Sequence, residues 1–201
     1  SDDDNLDKEE KMTYSFDVVK WEREAEEKRK KKAKSLIDIS KFLNKCGYKY
    51  IVAQYQGCGD SGESFESEGY KTKKDFKESC YDGGEYIKKS DWVDGKSIPI
   101  SKDKWTWSRQ QIEVQNCMDK YNALNDTEYE LEYLLSDLIG YDWYNNEGGQ
   151  GRVVLDTTKN IVYVEGEQNT NAHIEVESKR YLDNSKPFEE RVGNEVIDRG
   201  W

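Results

Sequence analysis

No glycine or proline occurs in this chain before Gly47, and that one fact most restricts how its first quarter can fold. Such a run suits a helix, because both common breakers are missing. Its middle, WEREAEEKRKKKAK, is rich in strong helix formers. Acids precede bases there, as the helix dipole favours, and Glu24–Lys28 and Glu26–Lys30 fall at i, i+4. The sequence therefore predicts a long charged helix from about Phe16 to Cys46, with Gly47 as its stop. Apolar spacing appears only near its end, at Leu36, Ile39, Phe42 and Leu43, so the last turns are expected to pack and the earlier ones to project. The run Lys28–Lys34 reads as a solvated face, with contact to nucleic acid or a membrane surface as the alternative.

After Gly47 the periodicity changes. YKYIVAQYQ (48–56) has the aromatic and β-branched content of a strand, and ESFESEGY (63–70) alternates as a returning strand. A second hairpin is expected from GRVVLDT (151–157) and IVYVEGE (161–167) around Thr158-Lys159-Asn160, with a further strand at 173–177. A second helix is expected at Asp126–Ile139, capped by Asp126 or Thr127, with an apolar stripe of Tyr129, Leu131, Leu134, Leu135, Leu138 and Ile139. For residues 110–122 the spacing of Ile112, Val114 and Met118 fits strand and helix alike. The predicted class is α+β: a mainly antiparallel sheet of two or more hairpins with two helices on one face and a long charged N-terminal helix. Residues 1–15 are expected as a disordered acidic arm, 16–178 as a single domain with an insertion at about 71–110, and 179–201 as a polar tail. In the insertion, basic residues and aromatics interleave with acids, and Trp105 and Trp107 would share a strand face. That suits a decorated loop with some strand better than a single-strand nucleic-acid binder.

Composition limits the core. Apolar residues are 34% and charged residues 36% of the 201, below the usual apolar share of about 45–50%. Tyrosine and tryptophan are plentiful and partly compensate. No apolar run approaches a membrane span, and no leader pattern begins the chain, so a soluble intracellular protein is expected. Residues 111–201 hold nineteen acids and eight bases, which equals the whole-chain net charge of −11. Duplex nucleic acid is an unfavourable partner for that half, and a basic protein surface a favourable one. Cys46, Cys58, Cys80 and Cys117 include no C-x-x-C pair and His173 is the single histidine, so reduced structural thiols are expected rather than zinc or disulfides. No cofactor is implied.

Three motifs invite chemistry, and each fails a physical test. GDSG (59–62) matches the loop around a nucleophilic serine, but Ser61 needs a base and His173 lies far downstream. Gly57-x-Gly59-x-x-Gly62 has dinucleotide-binding spacing, but ESFESEGY after it reads as a strand and not as the helix whose N-terminus would meet a pyrophosphate. Asp142-x-x-Asn145-Asn146-Glu147-Gly148 hints at a calcium loop, but Glu147 stands where such a loop needs glycine and Val153 where it needs glutamate. The expectation is a non-enzymatic chain.

Two glycine loops remain, Tyr55–Gly62 (YQGCGDSG) and Gly140–Gly151 (GYDWYNNEGGQG), the second followed by VVLD and IVYV. In this order they resemble an uncharacterised domain family of bacteria, plasmids and phages. Its members carry a strand with G-x-G-D-S-G, then G-W-E-N-N-D-G-x-x-G before a strand–turn–strand. The resemblance covers about 36–70 and 127–177. Asp142, Tyr144 and Glu147 depart from the pattern, standing for its Gly, Glu and Asp. No established activity comes with the family. The resemblance implies a phage or mobile-element accessory protein acting in a bacterial cytoplasm. The acidic second half, the protruding charged helix and the lack of a catalytic constellation then favour binding of a protein partner, as an inhibitor of a host or defence system. The alternatives are nucleic-acid binding, or a small-ligand or metal-binding protein or small enzyme using both loops. For that last reading the site residues would be Asp60, Ser61, Asn145, Asn146 and Glu147, with the loops meeting so that Asp60 nears Asn145 or Asn146.

Overall fold

The computed structural model describes residues 2–64, 67–82, 90–99, 101, 109–170, 172–193 and 195–201. The first helix, α1 (Asp2–Lys45), starts fourteen residues before the expected Phe16, so residues 2–15 are helix where a disordered arm was expected. The breaker-free run extends to the start of the chain, and the early acids favour the positive end of the helix dipole. Its stop is the expected one. Gly47 takes φ +99°, its N–H donates to the Asn44 carbonyl at 2.9 Å, and the Tyr48 N–H donates to the Leu43 carbonyl at 3.0 Å. These are the two bonds of a Schellman cap.

The main sheet is built from β1 (Tyr50–Cys58), β2 (Ser61–Ser64), β3 (Glu68–Tyr70), β6 (Gly149–Asp156), β7 (Ile161–Gln168), β8 (Ile174–Tyr181) and β9 (Glu189–Val192). Its order is β2-β1-β6-β7-β8-β9, with β3 also on β1, and every pairing is antiparallel. The returning strand expected at 63–70 forms as the two short pieces β2 and β3. Helix α2 (Lys73–Asp82) and the separate hairpin β4 (Ser90–Val93) and β5 (Lys96–Pro99) occupy the expected insertion. The proposed Trp105–Trp107 strand face lies outside the described residues. Helices α3 (Arg109–Leu124) and α4 (Leu131–Asp137) follow. The ambiguous 110–122 segment is thus helical, placing Val114, Cys117, Met118 and Tyr121 in the core. The second expected helix is shorter than predicted. It is capped by Glu130, without a side-chain bond, and not by Asp126 or Thr127; the Thr127 hydroxyl turns to the Asn122 side chain at 3.1 Å.

Strand alternation divides the core between two faces. One face presents Ile51, Ala53, Tyr55, Val153, Leu155, Val162 and Val164 to α1, α3 and α4, where Leu36, Ile39, Leu43, Leu131, Leu134 and Leu135 are buried. The other presents Tyr50, Val52, Val154, Ile161 and Tyr163 to α2 and the chain's C-terminal residue. Phe76 of α2 stacks on Tyr50 with ring centres 4.3 Å apart, and Trp201 meets Tyr163 edge-on at 4.5 Å. Two side-chain bonds fix the end of α1 to the β6–β7 region, Ser40 Oγ to Asn160 Oδ1 at 2.6 Å and Asn44 Nδ2 to Thr157 Oγ1 at 3.1 Å.

Two expectations need correction. Cys46 and Cys117 are joined as a disulfide between the end of α1 and α3, not free thiols; Cys58 is free and exposed. The residues after 179 form more than a tail: β8 continues to Tyr181, Leu182 is buried, β9 adds a strand, and Trp201 joins the core.

Candidate functional site

The two glycine loops come together at one end of the sheet. Cys58 pairs with Ser61 across β1 and β2, leaving a two-residue turn of Gly59 (φ +57°) and Asp60 (φ +65°). Positive φ at both positions is the type I′ turn that right-twisted hairpins favour, with Gly and Asp its usual residues. This accounts for GDSG without catalysis. Gly57 then pairs with Gly149 across β1 and β6, and the Gly59 N–H donates to the Asn146 carbonyl at 2.8 Å. A β-carbon on Gly62 would lie 2.6 Å from the Trp143 ring, so the indole lies where only glycine leaves room.

The five sequence-derived site residues gather here, and their side chains are largely turned to solvent or to their own loops. Asp60 and Ser61 are exposed, and the Ser61 hydroxyl donates to the Cys58 carbonyl at 3.1 Å. The Asn145 backbone N–H and side-chain amide both donate to the Asp142 carboxylate, at 3.2 and 3.0 Å. Asn146 is exposed at φ +56°, and the Glu147 side chain is exposed while its carbonyl accepts from the Asn169 amide at 3.1 Å. These are loop-shaping bonds, of the kind that short polar side chains make to nearby backbone. His173, just before β8, is separated from Ser61 on β2 by β1, β6 and β7, or about 19 Å at strand spacing. Among the described residues no group of three or more His, Cys, Asp or Glu side chains could hold a metal ion.

The aromatic support beneath these loops had no signal in the motif. Tyr55 and Tyr141 share a hydrogen bond of 2.7 Å between their hydroxyls, and the Tyr141 hydroxyl also donates to the Glu167 carbonyl at 3.3 Å. Burial pushes both phenols above their ordinary range. A β-carbon on Gly166 would fall 2.1 Å from the Tyr55 hydroxyl, so the strand glycines make room for this pair.

On the opposite face a row of charges crosses four strands. By register Arg152 lies beside Glu165, Glu165 beside Glu177, and Glu177 beside Arg191. The ion pairs are Arg152–Glu165 at 2.7 Å and Arg191–Glu177 at 2.9 Å; Arg199 reaches back from the C-terminal segment to Glu165 and Glu177, both at 2.6 Å.

Away from the sheet, α1 projects. Residues 16–24 are all exposed, among them Phe16 at 71%, Val19 at 63% and Trp21 at 68%. No helix among the described residues is long and apolar enough to cross a membrane. Comparisons with family models, curated proteins and solved structures return no match for this chain.

Proposed function

We propose that this chain acts by binding a protein partner, and that the projecting part of α1 makes the contact. The observation that carries the reading is the exposure of Phe16, Val19 and Trp21 on a helix segment whose residues 16–24 are all exposed. Phe16 and Val19 share one helix face and Trp21 stands on the other, so the segment offers apolar anchors on two sides, and tryptophan is among the residues that dominate binding energy at protein contacts. The acidic second half of the chain adds steering toward a basic partner surface. The family resemblance extends this to an accessory protein of a phage or mobile element, inhibiting a host or defence system in the bacterial cytoplasm. The Cys46–Cys117 bond counts against that compartment, since disulfides persist chiefly in oxidising surroundings.

A ligand site between the glycine loops is the weaker reading. The loops meet backbone on backbone, and a β-carbon on Gly148 would already strike Gly57. The test compares capture from host lysate by the wild-type chain and by a Phe16→Glu/Trp21→Glu variant with an unchanged circular dichroism spectrum. One protein retained in stoichiometric amount by the wild type and lost by the variant supports the proposal. A partner retained equally by both, or a small molecule or metal co-purifying in its place, sinks it.

A further inference from the structure

A cavity of about 330 Å³ opens between α1, α4 and the end of β8. Its apolar wall includes Leu36, Leu134, Leu138 and Leu182. Its polar lining is mainly cationic, with four bases (Arg29, Lys30, Lys32 and Arg180) against two acids (Glu26 and Asp137). In a chain of net charge −11 that is a local reversal of sign.

The cations are not equally provided for. Arg29 pairs with Glu26. Lys32 pairs with Asp137 at 3.3 Å and donates to the Tyr133 hydroxyl at 3.1 Å. Arg180 has no carboxylate within ion-pair distance among the described residues. Its guanidinium lies over the Phe188 ring at 4.1 Å, and its Nε is buried with no hydrogen-bond partner. Burial, and then the nearby charge of Arg29, disfavour its ionised form, and the more weakly acting charges of Glu190 and Asp137 offset this only in part. Arginine nonetheless stays protonated, so a counter-ion, and not loss of the proton, is what would relieve it. Two guanidiniums lining one cavity are unfavourable in isolation, and one anion between them relieves their repulsion. The guanidinium fork fits carboxylate and phosphate oxygens. The leucines offer that anion an apolar bed, and the volume is at the small end for ligand cavities.

We propose that this cavity binds a small organic anion, its carboxylate or phosphate head between Arg180 and Arg29 and its apolar body against Leu36, Leu134 and Leu182. The inference is independent of the α1 contact proposed above, since the cavity lies at the root of the projecting helix and not at Phe16–Trp21.

The experiment is isothermal titration calorimetry of the whole chain with octanoate, phenyl phosphate, inorganic phosphate and the neutral controls octanol and phenol. Saturable one-to-one binding of octanoate or phenyl phosphate is expected, with weaker binding of inorganic phosphate and none of the neutral compounds. Arg180→Gln should weaken binding about tenfold or more. Arg29→Gln, on an exposed helix face where folding is not at stake, should weaken it in the same direction. Silence from both organic anions overturns the proposal. So does equal binding of octanol and octanoate, which would make the cavity merely apolar. Equal affinity for inorganic phosphate removes the organic body from the claim, and unchanged binding in both arginine variants places the site elsewhere; either result also overturns it.

Discussion

Gly148 rests against the carbonyl of Gly57: a β-carbon at 148 would lie 1.7 Å from that oxygen and 2.8 Å from the Cys58 α-carbon. Gly148 also holds φ +69°, a region costly for other residues. Two independent constraints therefore select glycine where the two loops join. Gly148→Ala is expected to lose about 3 kcal/mol or more, from backbone strain plus a contact that only main-chain movement can relieve. Gly59 provides the control: it too has positive φ, but nothing lies within 4 Å of its β-carbon position. Gly59→Asn should cost less than about 1 kcal/mol, because asparagine tolerates this conformation. Urea unfolding of the two variants reads the difference. Equal losses would mean the loops do not pack as described.

Ser61 is expected to be chemically ordinary. Its hydroxyl is engaged with the Cys58 carbonyl, and three strands separate it from His173. A fluorophosphonate probe applied to the folded protein should leave Ser61 unlabelled. Labelling that disappears in Ser61→Ala would show an activating base that this arrangement lacks.

The disulfide should be a main stabiliser. It closes a loop spanning 71 residues, and the chain-entropy account gives such a closure about 4 kcal/mol. Reduction, or the Cys46→Ser/Cys117→Ser variant, should lower the urea midpoint accordingly without changing the unfolding slope per unit of exposed surface. A thiol count showing four free cysteines in the untreated native protein would mean the bond does not form.

Alkaline pH should find the Tyr55–Tyr141 pair. Burial raises both phenols above the ordinary 10.0 in the folded state, and it is the neutral form that folding favours. The linked stability is therefore fully present below pH about 10 and declines as pH rises above it. Followed by phenolate absorbance, this pair should ionise only as the protein unfolds, together with Tyr163, which burial also raises. Tyr55→Phe should reduce the alkaline loss, whereas an identical pH profile for variant and wild type would remove the pair from the account.

What the sequence made legible was local. Gly47 reads as a helix stop because one residue at positive φ suffices, and the 151–167 hairpin reads from two short β-branched apolar runs, VVL and IVYV, around Thr158-Lys159-Asn160. Residues 110–122 did not read, because Val114 and Met118 are four apart, while Ile112 and Val114 are two apart and fit a strand equally well. Cys46 and Cys117 lie 71 positions apart and meet only because α1 and α3 pack together, a relation with no local trace. The meeting of the glycine loops could be anticipated from their shared composition. Its cause could not, since it depends on an indole at Trp143 lying over Gly62. The residues after 179 looked like a tail because their apolar content is sparse, and what anchors them is charge.

That anchoring gives the last prediction. Glu165 and Glu177 are direct cross-strand neighbours of like charge, with side chains 15% and 10% exposed. Like charges in this position repel. Arg199 lies between them and binds both, while the Ile197 N–H also donates to Glu177 at 3.1 Å. The C-terminal segment is thereby drawn over the sheet, which brings Trp201 onto Tyr163 and Phe76. Arg199→Ala should cost about 3 kcal/mol, because it leaves two neighbouring carboxylates partly desolvated and releases the segment. Adding Glu165→Gln to that variant should restore part of the loss by removing the repulsion. Trp201→Ala should cost less, about 2 kcal/mol, since the indole is only half-buried. Denaturation of the four proteins, with tryptophan fluorescence reporting the segment, separates the terms. If Glu165→Gln gives no recovery in the Arg199→Ala background, repulsion is not what Arg199 relieves, and its contribution is the tethering of the segment alone.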